Sequence, residues 1–363
     1  MGSLFSSRKS TRSSAKPKTH AVASDRTMAP PSHATTIQLP NAQQRPAPDP
    51  SLRGIDLLAD LCFTVTVSNS DTSDSHNLTH VKSGDFVTHR NFSRYVASGN
   101  MYNSVALGCM EYCHDFFKSN YDLETVATTR GDIIASKCLS GFERALVVIN
   151  GKGLVQPGIL ARSSLMKYSF EQGSAWAMIK NAWERKVGVV LLNHNYASYS
   201  FSSKNVKVQF EEVIVPLLEK GVKFDFVAHS AGGSQLVSNL MGLVGYVRSE
   251  SIGKLVFTDS IHSLRQISLN EGLSSGDKEV LLRKVVGGDA VYFRSNHEHI
   301  SPSKELGDVF DLGFSEGDTH NERSHKEYWR GRFGSVKTYY CGTIEHARTT
   351  EMAEGEIIKF LNY

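Results

Sequence analysis

The chain has 363 residues, 40% hydrophobic and 21% charged, the composition of a soluble globular protein. Its net charge of +3 is split unevenly: residues 1–54 hold Arg8, Lys9, Arg12, Lys16, Lys18, Arg26, Arg45 and Arg53 against Asp25 and Asp49, leaving 32 of the 40 basic and 35 of the 37 acidic residues for the rest. That remainder is slightly acidic, which excludes a global electrostatic footprint for nucleic acid, and no direct nucleic-acid binding is expected of the folded domain. No run of about 18 apolar residues and no apolar h-region after the N-terminus occur, so neither a membrane span nor a secretory signal is expected. Five cysteines at irregular spacings (Cys62, Cys109, Cys113, Cys138, Cys341) read as reduced core residues of an intracellular protein, without the paired spacing of a zinc site.

Residues 1–54 form the first segment, a basic tail rich in Ser, Thr and Pro, too poor in large apolar residues to offset the entropy of ordering. Its start, Met1-Gly2-Ser3-Leu4-Phe5-Ser6, fits the N-myristoylation pattern, with Gly2 as acceptor. Arg8, Lys9, Arg12, Lys16 and Lys18 supply the polybasic second signal that one acyl chain needs, which predicts peripheral membrane association through the N-terminus. The competing reading is a plain basic tail with a nuclear-localisation patch.

Residues 55–363 read as one domain, long enough to bury a large core. Leu61–Thr66 reads as a strand and Gly84–Val87 as a second. Tyr102, Val105, Ala106, Cys109, Met110, Cys113, Phe116 and Phe117 recur at helical steps, predicting an amphipathic helix of about five turns. Buried-type strands then alternate with helices: strands at Arg144–Ile149, Val187–Asn193, Lys223–Ala228, Lys254–Thr258, Ala290–Arg294 and Val336–Cys341, and helices at Trp176–Lys186, Val206–Lys220, Ala231–Val247, Gly276–Val286 and Thr349–Leu361. Residues 296–332 are polar, irregular and His-rich. The alternation predicts a three-layer α/β sandwich around a mostly parallel sheet, with function at the C-terminal ends of the strands.

The residues directly after the strands carry the chemistry. KFDFVA runs into His229-Ser230-Ala231-Gly232-Gly233 and then a helix, the small-x-Ser-x-Gly arrangement of a nucleophile elbow, with Ala228 and Gly232 as the small residues. The elbow would lift Ser230 clear of the sheet and aim the Ala231 N–H at the same spot; the rival is a serine capping an ordinary helix. RALVVI ends in Asn150-Gly151-Lys152-Gly153, where the backbone of Gly151 and Lys152 could complete an oxyanion hole with Ala231. A dinucleotide loop fails because Gln156 stands where the third glycine is needed, and no Walker loop occurs, so no cofactor is expected. His346, in the loop after the last strand, is the expected base. Asp259, directly after KLVFT, is the expected acid, with Glu298 after the next strand as the alternative and a helix N-cap as the rival role for Asp259. His262 is a second candidate base or a partner of it. His297, His299, His320 and His325 match no metal-ligand spacing, so no metal is expected.

Taken together, GFERALVVINGKG, KVGVVLLNHN, FVAHSAGG, LVFTDSIH and CGTIEH, with GDFVTHRNFSRY before them, resemble the Argonaute-binding protein 2 (Arb-two) domain family over about residues 55–363. The resemblance implies an α/β-hydrolase-like fold, Ser230 in the nucleophile position, Asp259 and His262 in a T-D-S-x-H segment, and His346 in a terminal G-T-x-x-H. Asn150 departs from the more usual His before the glycine, and the acylation-like start is not a family feature. Two functions are expected on these grounds. One is a serine hydrolase, of esterase or amidase type, acting on a small acyl substrate through a Ser-Asp-His triad. The other is a non-catalytic adaptor on a hydrolase scaffold, binding an Argonaute or chromatin-associated protein in gene silencing. The expected location is intracellular: cytoplasmic with membrane anchoring, or alternatively nuclear.

Overall fold

Among the described residues ten strands are formed: β1 (Phe63–Asn69), β2 (Asp74–His80), β3 (Leu123–Val126), β4 (Ile133–Ser136), β5 (Arg144–Ile149), β6 (Gly188–Leu192), β7 (Lys223–His229), β8 (Ile252–Thr258), β9 (Ala290–Arg294) and β10 (Thr338–Tyr340). The computed structural model describes residues 49, 51–69, 74–195, 203–262, 264–295 and 338–363. Gly2, Glu298, His297, His299, His320 and His325 lie outside them.

Eight strands make one sheet in the order β10-β9-β8-β7-β5-β6-β4-β3. From β10 to β6 neighbours run parallel, whereas β4 pairs antiparallel with β6 and β3 antiparallel with β4. The central strands are continuous apolar runs because both faces are covered. Alternate residues serve separate cores. Leu146, Val148, Val189, Leu191, Val227 and Val256 face one core. Ala145, Val147, Ile149, Val190, Phe226 and Phe257 face the other.

The first core is closed by α1 (Gly54–Asp60), α2 (Gly99–Asn120), α3 (Trp176–Glu184) and α7 (Thr349–Leu361). The second is closed by α4 (Ser203–Gln209), α5 (Ala231–Leu240) and α6 (Ser275–Val286). This is the three-layer sandwich expected, and its strand order is that of the α/β-hydrolase fold. The order switches direction around β5, which lies between β6 and β7, so the C-terminal ends of β5 and β7 are the switch point at which such sheets place their sites.

Several local expectations are corrected. Gly84–Val87 is not a strand; Phe86 makes one isolated bridge to Thr79, and the true partner of β1 is β2, in a separate two-stranded sheet. The short strands β3 and β4 are additions to the expected set. The helix expected over residues 206–220 starts at Ser203 and passes through a π turn at Phe210–Ile214. The helix expected to reach Val247 stops at Leu240 and resumes at Val244 after a 3₁₀ turn containing Gly242, a residue that weakens a helical run. Cys109, Cys113 and Cys341 are buried, Cys62 is half-buried, and Cys138 is exposed rather than in the core. Among the described residues no helix is long and apolar enough to cross a membrane.

Candidate active site

β7 ends at His229, and α5 begins at Ala231, so the chain reverses direction at Ser230. Ser230 adopts φ 52° and ψ −122°, a conformation a side chain enters only under constraint. Three backbone bonds hold it there: its N–H donates to Thr258 O (2.9 Å), and its carbonyl accepts from the N–H groups of Gly233 (3.2 Å) and Ile261 (3.1 Å). The side chain makes no capping bond to α5, which excludes the N-cap reading. The need for a small residue at 232 is steric, since a Cβ there would lie 2.4 Å from Ile149 O and 2.6 Å from Asn150 O. The helix crosses directly over the end of β5. Gly233 has a parallel reason that sequence reasoning missed: a Cβ would collide with the Ser260 side chain.

The oxyanion candidates flank the serine. A Cβ on Gly151 would sit 3.1 Å from Ser230 Cβ and 3.6 Å from its Oγ, so this backbone passes within contact of Ser230. Ala231 opens α5, where first-turn N–H groups have no acceptor inside the helix. Lys152 comes next after Gly151 in the same loop, with its side chain exposed.

Asp259 comes directly after β8, with φ 46°, its N–H donating to Phe293 O (2.7 Å). Its carboxylate is 10% exposed. Oδ1 accepts from Ser295 N–H (3.2 Å), and Oδ2 from the Ser295 hydroxyl, Thr349 Oγ1 (3.2 Å) and His346 Nδ1 (2.7 Å). None of these is a cap on a following helix. Burial works to raise this carboxyl, but the hydrogen bonds from His346 and Ser295 outweigh it and hold it below the usual carboxylate range. A carboxylate accepts and does not donate, so Nδ1 of His346 carries the proton, leaving Nε2 as the acceptor of the neutral ring. His346 starts the 3₁₀ turn that leads into α7, and its side chain is 47% exposed. Among the described residues no hydrogen bond joins Ser230 Oγ to His346.

A second imidazole supports the first. The buried His229 ring lies 4.9 Å from that of His346, tilted by 32°. Its Nδ1 meets Thr258 Oγ1 (3.1 Å) and Thr350 Oγ1 (3.2 Å), which are bonded to each other at 2.7 Å. Burial, reinforced by His346, lowers its pKa to about 4, so it stays neutral around pH 7.

His262 is not brought to this site as a base. Its ring stacks on Phe257 (4.5 Å) and Tyr292 (5.4 Å). Tyr292 Oη donates to Val285 O, so it accepts from His262 Nε2 (3.2 Å), and Nδ1 accepts from the Ser260 hydroxyl (2.7 Å). Both ring nitrogens are thereby occupied, and burial lowers the pKa to about 4. It ties the segment after β8 to β9 through Tyr292. Sequence reasoning also passed over His194 and Asn195, which touch the loop after β5; their signal was their place directly after a buried strand, in KVGVVLLNHN. Among the described residues no group of three or more His, Cys, Asp or Glu side chains could hold a metal ion.

No family model and no curated protein matches the chain. Solved structures do. An esterase from Pyrococcus furiosus is 10% identical, with 68% of this chain and 92% of that one covered and a TM-score of 0.39. A serine hydrolase from Cycloclasticus zankles is 11% identical over 66% of this chain and 95% of its own, with a TM-score of 0.34. Poly(aspartic acid) hydrolase-1 from a Sphingomonas species is 12% identical over 64% and 96%, with a TM-score of 0.35. At such low identity the fold assignment stands on strand order and layer structure.

Proposed function

We propose that this protein is a serine hydrolase cleaving a carboxylic ester or amide bond in a small acyl substrate. The observation that carries the reading is the Asp259–His346 hydrogen bond, formed beside a serine held at an elbow. In this reading Ser230 attacks the acyl carbon while His346 Nε2 takes its proton. Asp259 fixes the tautomer and balances the charge gained by the ring. The N–H groups of Lys152 and Ala231 receive the oxyanion, and the protonated His346 then returns its proton to the leaving alcohol or amine. Water repeats the sequence on the acyl-enzyme. A fluorophosphonate probe is expected to label the purified protein at Ser230, with labelling lost in Ser230→Ala; absence of labelling at high probe concentration rejects the reading.

A second reading has its own supporting observation: the Ser230 hydroxyl is not hydrogen-bonded to His346. Apo enzymes often tighten this contact only on binding substrate, but an adaptor would never need it. In that case the chain is an Arb-two-type scaffold that docks an Argonaute or chromatin-associated protein. A quantitative pull-down in which Ser230→Ala retains those partners favours it, and recovery of neither partner by the wild type discards it. The Gly2 signal belongs with either reading as a targeting proposal. Gly2→Ala is expected to release the protein from membrane fractions, and an unchanged distribution rejects acylation.

A further inference from the structure

The loop after β5 is gripped by side chains from the segment after β6. The Gly151 carbonyl accepts from His194 Nε2 (2.7 Å) and Asn195 Nδ2 (3.1 Å). Asn195 also donates to Val155 O (3.2 Å) and accepts from the Gly153 N–H (3.2 Å). Asn150 closes the loop on itself, donating to Gln156 O (2.6 Å) and accepting from Gly158 N–H (3.3 Å). Behind this sits a further layer from α4: Asn205 donates to His194 O (3.1 Å), and Gln209 both accepts from Asn193 N–H (2.9 Å) and donates to Asn193 O (2.7 Å). His194, Asn195, Asn205 and Gln209 are all buried. Because a carbonyl accepts, His194 carries its proton on Nε2, and burial lowers its pKa, so the neutral donor persists at neutral pH.

The consequence lies in peptide geometry. No peptide bond in the described chain is cis. A trans, planar Gly151–Lys152 peptide directs the Lys152 N–H opposite to the Gly151 carbonyl. Two donors on that carbonyl therefore decide which way the N–H points. Turning the peptide over would take its acceptor from His194 Nε2 and one of two acceptors from Asn195 Nδ2, a desolvation cost in a buried setting.

We propose that His194 and Asn195 are positioning residues that lock the Gly151–Lys152 peptide with its carbonyl turned away from Ser230, so that the Lys152 N–H is offered to an oxyanion. The proposal rests on the serine-hydrolase reading, and its test separates the two. Wild type, Asn195→Asp, His194→Ala and His194→Gln are compared in the full chain. Asn195→Asp keeps an acceptor for Gly153 N–H but replaces the donor to Gly151 with a second acceptor. His194→Gln restores an amide donor.

Amide hydrogen exchange across residues 150–158, with α5 as internal reference, reads the loop. Fluorophosphonate labelling and p-nitrophenyl acetate hydrolysis read the chemistry. Expected for Asn195→Asp and His194→Ala are loop exchange about tenfold faster with α5 unchanged, and kcat lower by about 10²-fold with KM little altered; His194→Gln should recover most of both. Folded variants with wild-type loop exchange overturn the proposal, as does wild-type kcat in a variant whose loop has loosened. A wild type that neither labels nor turns over ends the hydrolase reading instead, while the exchange measurement still judges the clamp.

Discussion

Tyr363 Oη donates to Asp225 Oδ2 at 2.8 Å, at the end of β7 opposite to Ser230. The Asp225 carboxylate is buried and also accepts from Arg144 Nε and from Lys254 N–H (2.6 Å). Tyr363→Phe removes one bond to a buried charge and is expected to cost about 1–3 kcal/mol in urea unfolding. Asp225→Ala should cost more, about 3–5 kcal/mol, because it also strips the partner from Arg144. Equal midpoints for Tyr363→Phe and wild type would show the hydroxyl contributes nothing.

Glu354 provides a pH-dependent test. Burial first, then the charges of Glu351 and Glu171, raise its pKa to about 8. A raised acid favours the protonated folded state, so its contribution is fully present below the unfolded value and is lost as pH rises through about 8. Glu354→Gln is expected to raise the melting temperature at pH 9 while leaving it nearly unchanged at pH 4. A uniform shift at both pH values would contradict this.

Two glycines of the helical stretch that follows the elbow should separate sharply. Gly232→Ala drives a Cβ against two backbone carbonyls that cannot move aside, and a loss of about 3 kcal/mol or failure to fold is expected. Gly245 is helical with open space around it, so Gly245→Ala should stabilise by up to about 1 kcal/mol. Thermal denaturation of both variants decides it, and similar behaviour would mean that the helix does not cross β5 as closely as described.

Ser230 itself should be a strained position. Ser230→Gly relieves the positive φ and is expected to raise stability by about 1 kcal/mol, whereas Ser230→Ala, which keeps the Cβ, should not. A calorimetric comparison in which Gly gains nothing over Ala would count against stored strain.

Asp259→Asn keeps shape and removes charge. An amide facing His346 Nδ1 favours the other tautomer, and a loss of order 10³–10⁴ in kcat is expected with the fold retained. The wild-type carboxylate, held below its usual range, adds stability above the unfolded carboxylate value and loses it as pH falls through the lower folded value. Asp259→Asn should therefore flatten the acid limb of the stability curve, and an identical acid limb would show that the group is uncoupled from folding.

The central strands were readable because burial on both faces leaves an unbroken apolar run, and β5, β9 and α7 begin and end as expected. β3 and β4 were not, since four residues each in an antiparallel corner show no periodicity. Ser230, Asp259 and His346 could be picked out by their places after strands, but the spacing could not say that His262 would join the stacked Phe257–Tyr292 pair. That outcome depends on the packing of β9 beside β8. Likewise Gly232 could be read as small, while the clash that requires it comes from carbonyls about 80 residues earlier.

α7 and the turn before it bring His346, Thr349 and Thr350 to the site, and the same helix ends beside Arg144, which bonds Leu361 O at 3.0 Å. This arrangement bears on how the protein is made. A ribosome that has finished both the serine and the carboxylate still holds a nascent chain without its candidate base and without the hydroxyl beneath His229. Until translation passes residue 350 the candidate site cannot assemble, and a transcript cut short before that point yields a chain that lacks His346, Thr349 and Thr350.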